Sequence, residues 1–313
     1  MNIYLAGDSI VQNYTEEEFI AGWGQFLPRF FKPDVNVFNY AKGGRSSRLF
    51  INEGRFEEID RHIQSGDYLF IEFCHNDDDS KDYKSMFNRQ TPLGVPDESG
   101  RFPVIAGVKM PKNYIPPEYI EALNNDDSIS DKQAVLNSVL AINQSYPYDT
   151  YYPYSKDASM GSYKWFIDMA RKHDASPVLV TAPARTFFND DGTIMDAPGC
   201  HGGNNFSYIR AMRQIGEETG TPVLDLFSYS VELFEKIGHD NIHRYTSIKK
   251  GINKGKWPDD FLKELAKPET VSENTHFNKD GAMRITEGLV ELILKSKNPQ
   301  LCELQSSLLH NVV

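Results

Sequence analysis

The chain has 313 residues, 40% of them apolar, enough to bury a core for one large domain or two small ones without a disulfide or metal. A formal net charge of −11 makes nucleic acid and anionic membrane poor partners. Its three cysteines, Cys74, Cys200 and Cys302, form no CxxC pair, so neither a disulfide framework nor a zinc site is indicated.

The sequence opens at once on a strand-like run, MNIYLAG, which leaves no room for a signal peptide. No run of 18 apolar residues follows, so no membrane span is expected, and the expected location is cytoplasmic. Ile3–Ala6 predicts the first strand, and Trp23–Phe31 a helix with Trp23, Phe26, Leu27, Phe30 and Phe31 on its inner face. Val35–Tyr40 predicts a second strand, Phe56–Ile63 a second helix and Tyr68–Cys74 a third strand, with Cys74 a buried core thiol.

Residues 79–153 then interrupt the alternation. They are rich in Pro, Asn, Asp and Tyr and far exceed an ordinary strand–helix connection. Their apolar content, including a helical pattern over Ala134–Ile142, predicts a partly ordered insertion that lids a site or forms an oligomer contact; a homodimer stays open. Alternation resumes with helices at Tyr163–Lys172, Phe206–Glu218, Ser230–Ile237 and Lys279–Leu294, and strands at Pro177–Ala182 and Pro222–Phe227. Strands mostly apolar throughout, alternating with helices, predict a three-layer α/β/α domain around a five-stranded parallel sheet, one domain over 1–313.

Chemistry concentrates where strands end, because ligands of open parallel sheets bind at the carboxyl ends of strands. Gly7-Asp8-Ser9 follows the first strand and places a hydroxyl there. Asn39 to Ser47 follow the second, and Gly43-Gly44 in that stretch free backbone N–H groups for an oxyanion or simply make a tight turn. His75-Asn76-Asp77 follow the third; an Asn there offers an amide to an oxyanion or bonds its own backbone. Asp77, Asp78, Asp79 and Asp82 lack EF-hand spacing and read as a solvated face, so no metal is expected. Ahead of the last helix, Glu273-Asn274-Thr275-His276 places a carboxylate three residues before an imidazole, as a serine nucleophile needs a base of fixed tautomer.

Together these four blocks resemble the SGNH, or GDSL, hydrolase family, with its Ser, Gly, Asn and His at Ser9, Gly44, Asn76 and His276. Gly22-Trp23-Gly24-Gln25, Gly44-Arg45-Ser46-Ser47, Phe73 to Asp77, Thr275-His276-Phe277 and Val180 to Arg185 look like the rhamnogalacturonan acetylesterase branch, carbohydrate esterase family 12. That resemblance implies the flavodoxin-like SGNH fold and removal of acetyl groups from pectic or xylan-derived oligosaccharides through an acyl-enzyme, without metal or cofactor. It implies Ser9 as nucleophile, His276 as base and Glu273 as the orienting acid. Ser9, Gly44 and Asn76 are then the oxyanion donors. Arg45, His75 and Arg185 are candidate substrate contacts, with Arg48 beside them, although a salt bridge is the plainer reading for the arginines. Glu273 departs from the family's aspartate, and Cys74 stands where the family has glycine. Asp8 is expected to shape the nucleophile turn, and Asp225, inside the fifth strand, is a distant candidate for the acid. Two alternatives stay open: an esterase of non-carbohydrate esters, and a carbohydrate-binding homologue without activity.

Overall fold

Strand β1 (Asn2–Gly7) is buried almost throughout, and it sits at the heart of the sheet because parallel neighbours cover both its edges. The computed structural model describes residues 1–16, 18–77, 89–91, 93–152, 161–196, 205–248 and 272–309. In it β2 (Asn36–Asn39) and β3 (Tyr68–Glu72) flank β1, while β4 (Val108–Met110) and β5 (Thr150–Tyr152) form a separate antiparallel hairpin. Beyond them β6 (Ser176–Val180) and β7 (Val223–Leu224) complete a parallel sheet in the order β2-β1-β3-β6-β7. The five expected strands are therefore present, and all are parallel.

Helices α1 (Ser47–Asn52) and α2 (Arg55–His62) follow β2, α3 (Pro117–Asn124) and α4 (Lys132–Ser145) lie within the insertion, and α5 (Gly161–Lys172) precedes β6. Next come α6 (Ser207–Thr219), α7 (Leu226–Ile237), α8 (His239–Ile242) and α9 (Lys279–Lys295). Contacts among α1, α2 and α5, with Arg171 of α5 donating to the Thr219 carbonyl of α6 at 2.7 Å, define one helical layer. Helices α7 and α9 and the Trp23 turn define the other. Burying two helix layers against an apolar sheet is what makes one core of β1, β3 and β6 with Trp23, Phe50, Phe166 and Leu289.

Two expectations need correction. Trp23–Phe31 is not an α-helix but two 3-10 turns, Trp23–Gln25 and Leu27–Phe30. Pro28 has no N–H to continue an i→i−4 ladder, yet the same aromatic face is buried. The fifth strand stops at Leu224, because Asp225 caps α7 by accepting from Ser228 N–H, so the helix starts four residues before the expected Ser230. His276 lies on a strand, β9 (Ser272–Phe277), antiparallel to β8 (Thr246–Ile248), which adds to the five expected strands.

The described part of the insertion carries the β4–β5 hairpin, together with α3 and α4, which share a small core of their own, Tyr119, Leu123 and Val139. It docks on the helical layer: the Tyr151 N–H donates to Asn52 Oδ1 at 2.5 Å and its ring packs on Trp165 at 4.7 Å. Its first described residues approach the strand ends, with Thr91 N–H donating to the Asp77 carbonyl at 3.1 Å. No helix among the described residues is long and apolar enough to cross a membrane.

Candidate active site

The carboxyl ends of β1, β2 and β3 deliver three loops to one rim, and β9 reaches the same rim from the far end of the chain. Ser9 follows β1 in a turn closed by Val11 and Gln12 N–H groups donating to the Asp8 carbonyl. Its Oγ lies 2.8 Å from His276 Nε2, across 267 positions of sequence. His276 Nδ1 lies 2.6 Å from Glu273 Oε2, which also accepts the His276 backbone N–H at 3.0 Å. An ionised carboxylate only accepts, so Nδ1 carries the proton and Nε2 is left to accept from the Ser9 hydroxyl. Burial alone would raise the Glu273 pKa; the hydrogen bond and charge of His276 outweigh it and hold the carboxyl below its usual range.

Residues i and i+3 of a regular strand face opposite ways, so Glu273 and His276 should not meet. They do because β9 is bulged: Thr246 to Ile248 is two steps on β8, while the paired Phe277 to Ser272 is five steps on β9. The bulge is anchored by Thr186 N–H donating to the Asn274 carbonyl and Ala21 N–H to the Phe277 carbonyl, both at 2.8 Å.

In the loop after β2, Gly44 holds φ +77°, a left-handed conformation that suits glycine. Among the described residues no protein group accepts the N–H of Ser9 or of Gly44. Asn76 Nδ2 gives one hydrogen to Asp8 Oδ2 at 3.0 Å, which leaves its second for another acceptor. These three donors sit on residues that follow the ends of β1, β2 and β3, and the first of them belongs to the hydroxyl–imidazole–carboxylate line. Such a set can pass a proton from an alcohol and stabilise an oxyanion.

The remaining candidates have protein partners. Arg45 is paired with Glu53 and donates to the Gly43 carbonyl at 2.8 Å. Arg48 is buried, donates to the Gln90 carbonyl at 3.3 Å, and has its pKa lowered to about 10 by burial. His75 Nε2 meets the Pro183 carbonyl at 3.1 Å, and Arg185 donates to the His75 carbonyl at 3.2 Å, so both tie the end of β3 to the end of β6. Asp225 bonds Thr181, Ser228 and Arg213. Cys74 is buried as expected and holds φ +153°, a backbone setting glycine takes most readily. The acidic run past Asp77 lies outside the described residues; Asp77 itself accepts from Ser47 N–H at 3.1 Å.

Sequence reasoning missed the residues that brace this rim. Asp8 does shape the nucleophile turn, accepting Ile10 N–H at 2.9 Å, but it also holds Asn76. Gln12 Oε1 accepts Gly43 N–H at 2.5 Å, and the Tyr14 hydroxyl donates to the Ser9 carbonyl at 3.1 Å. Their one signal is nearness to Ser9 in the chain, since neither falls on a periodic face.

A family model, GDSL-like Lipase/Acylhydrolase, matches residues 3–96, the stretch holding Ser9, Gly44 and Asn76. Over that stretch the chain resembles the GDSL-like lipases and acylhydrolases. That likeness and the line from Ser9 through His276 to Glu273 mark the chain as a serine carboxylic-ester hydrolase. Two Bacillus subtilis (strain 168) proteins resemble it nearly end to end. The rhamnogalacturonan acetylesterase RhgT is 28% identical over 303 residues, 95% of this chain and 93% of that one. The probable rhamnogalacturonan acetylesterase YesY is 27% identical over 295 residues, 93% of each. The crystal structure of YxiM from Bacillus subtilis superposes with a TM-score of 0.54 at 20% identity. The match covers 93% of this chain and 55% of the YxiM chain, so the present chain spans about half of that protein's length and the likeness speaks to fold alone.

Proposed function

We propose that this chain is a hydrolase of the GDSL type that removes O-acetyl groups from plant cell-wall oligosaccharides, pectic or xylan-derived. The observation that carries the reading is the unbroken line Ser9 Oγ, His276 Nε2, His276 Nδ1, Glu273 Oε2, with contacts of 2.8 and 2.6 Å. The acetyl-sugar class is supported by relatives named as rhamnogalacturonan acetylesterases that align over nearly the whole chain.

Ser9 Oγ bonds to the acetyl carbonyl carbon as its proton passes to His276 Nε2. The oxygen that takes up the electron pair is held by the N–H groups of Ser9 and Gly44 and the free hydrogen of Asn76 Nδ2. Collapse breaks the bond to the sugar oxygen, which takes the proton from His276. Water, deprotonated by the same imidazole, then releases acetate and restores Ser9. Glu273 holds the ring and stabilises its charged form throughout.

The test is mass-spectrometric tracking of acetyl loss from acetylated pectic and xylo-oligosaccharides, with Ser9→Ala as control. Loss of 42 Da increments (the mass of one acetyl replaced by hydrogen, about 42 by elementary stoichiometry) is expected with the parent enzyme and not with Ser9→Ala. Cleavage of p-nitrophenyl butyrate or longer esters in preference to acetate would instead favour a non-carbohydrate ester. Failure of a fluorophosphonate to label Ser9 would leave a sugar-binding homologue.

A further inference from the structure

Gly43 and Gly44 share a planar trans peptide, in which the Gly43 carbonyl and the Gly44 N–H point in opposite directions. Whatever grips that carbonyl therefore aims that N–H. Arg45 Nη1 donates to the Gly43 oxygen at 2.8 Å. The rest of the guanidinium is fixed on Glu53, with Nε at 2.9 and 3.1 Å from its two oxygens and Nη2 at 2.7 Å from one of them. Arg55 Nε in turn donates to Glu53 at 3.2 Å. On the other side of the turn Gln12 accepts the Gly43 N–H. This peptide lies against the nucleophile, since a Cβ built on Gly43 would be 3.5 Å from the Ser9 Cβ, while one built on Gly44 would meet nothing within 4 Å.

We propose that Arg45, braced by Glu53, is the positioning residue of the Gly44 oxyanion donor: it draws the Gly43 carbonyl outward and so turns the Gly44 N–H toward the reacting carbonyl. The proposal rests on reading Gly44 as an oxyanion donor. A cationic donor on the carbonyl also polarises the peptide and strengthens its N–H, since linked hydrogen bonds reinforce one another. Arg45 thus acts through the backbone and not by contact with a uronate.

Steady-state kinetics on p-nitrophenyl acetate with Arg45→Ala, Arg45→Gln and Arg45→Lys test this. In Arg45→Ala, kcat should fall about 10- to 100-fold, at or below the loss of a whole oxyanion donor, with KM within about twofold. The affinity of a boronic acid, which adds to Ser9 as a stable tetrahedral anion, should fall with kcat. Millimolar guanidinium should restore part of the rate to Arg45→Ala, whose vacated site opens to solvent, and none to Arg45→Gln, whose side chain fills it. Arg45→Lys keeps the charge but cannot span Glu53 and the carbonyl with one fork, so an intermediate kcat is expected, and it carries the comparison if Arg45→Ala does not fold. A parent-like kcat, or a KM that rises while kcat and boronate affinity hold, overturns the proposal and returns Arg45 to substrate binding. A fall in kcat that guanidinium does not relieve and the boronate does not register marks a merely structural loss and overturns it too. Ser9→Ala and boronate inhibition of the parent separately test the reading beneath it.

Discussion

Glu72 is a buried acid at the end of β3 that ester cleavage does not use. It ends β3 opposite Gly7, is fully buried, and has no described hydrogen-bond partner on either oxygen. Burial first, then the charges of Asp8 and Asp77, push its pKa well above the usual value. In the unfolded chain the same carboxyl ionises above its ordinary 4.5, while the native protein still holds the proton. Native stability from this group is therefore complete below 4.5 and is lost as pH rises toward the folded value. Glu72→Gln, neutral and of equal size, removes that loss. Its Tm relative to the parent should grow steadily from pH 5 to pH 8 in calorimetric scans, whereas a constant difference would show that the native carboxyl is ionised. Two substitutions bear on the reacting groups directly. Asn76→Ala deletes one of three oxyanion donors and should cost about 10²–10³ in kcat, an impaired enzyme and not a dead one. Glu273→Gln removes the charge that fixes the His276 tautomer, and a loss of about 10⁴ in kcat is expected by analogy with a triad carboxylate. A negligible loss would assign the orienting role to another group.

Elements were legible in the sequence where one residue property repeats, and illegible where a distant partner decides. The five apolar runs gave the sheet because strands covered on both faces admit little else, and α2, α5, α6 and α9 followed from their 3.6-residue stripes. Helix α1 was missed because it starts with Ser46 capping Leu49 N–H directly after a glycine turn, and six residues are too few to show a period. The β4–β5 and β8–β9 hairpins were missed because their strands of three to six residues pair across long intervals. The candidate site divided the same way. Ser9, Gly44 and Asn76 were visible as strand-end motifs and His276 as a motif ahead of the last helix, but the bulge that lets Glu273 reach His276 depends on β8, some 25 residues earlier in the chain. The insertion offers an element-scale prediction. Its small core is distinct from the main one, so Leu123→Ala, the truncation of a wholly buried side chain, should destabilise α3 and α4 by about 2–5 kcal/mol where they are. Hydrogen exchange should accelerate across α3 and α4 while hydrolysis of p-nitrophenyl acetate persists. Loss of that activity in step with the exchange would show that the insertion supports the strand ends after all.

At the scale of the whole molecule, the active end of the sheet gathers three buried acids, Asp8, Glu72 and Asp77, in a chain whose net charge is already −11. Burial raises both Asp8 and Asp77 to about 6, against the opposing pull of their hydrogen bonds and, for Asp8, of His276 and Arg185. A raised carboxyl favours the native state while it stays protonated, so this stability is complete below the ordinary value near 3.8 and disappears as pH climbs through about 6. Glu273 runs the other way: its lowered pKa contributes stability above its ordinary 4.5 that is lost as pH falls through the folded value. Thermal stability should therefore peak in mildly acidic solution and fall by several degrees toward neutrality, as two such groups act on the order of a few kcal/mol together. Activity should rise over the same interval, because an ionised Asp8 is the better acceptor for the Asn76 amide. General charge repulsion would also lower stability as pH rises, but salt screens surface charges far more than buried ones. Scans between pH 4 and pH 8 in about 0.5 M salt, beyond the range where surface terms survive, should thus retain most of the trend. A Tm that climbs from pH 5 to pH 8, or a slope that vanishes with salt, would mean that the three carboxyls are ionised in the native protein and that its surface alone sets the pH response.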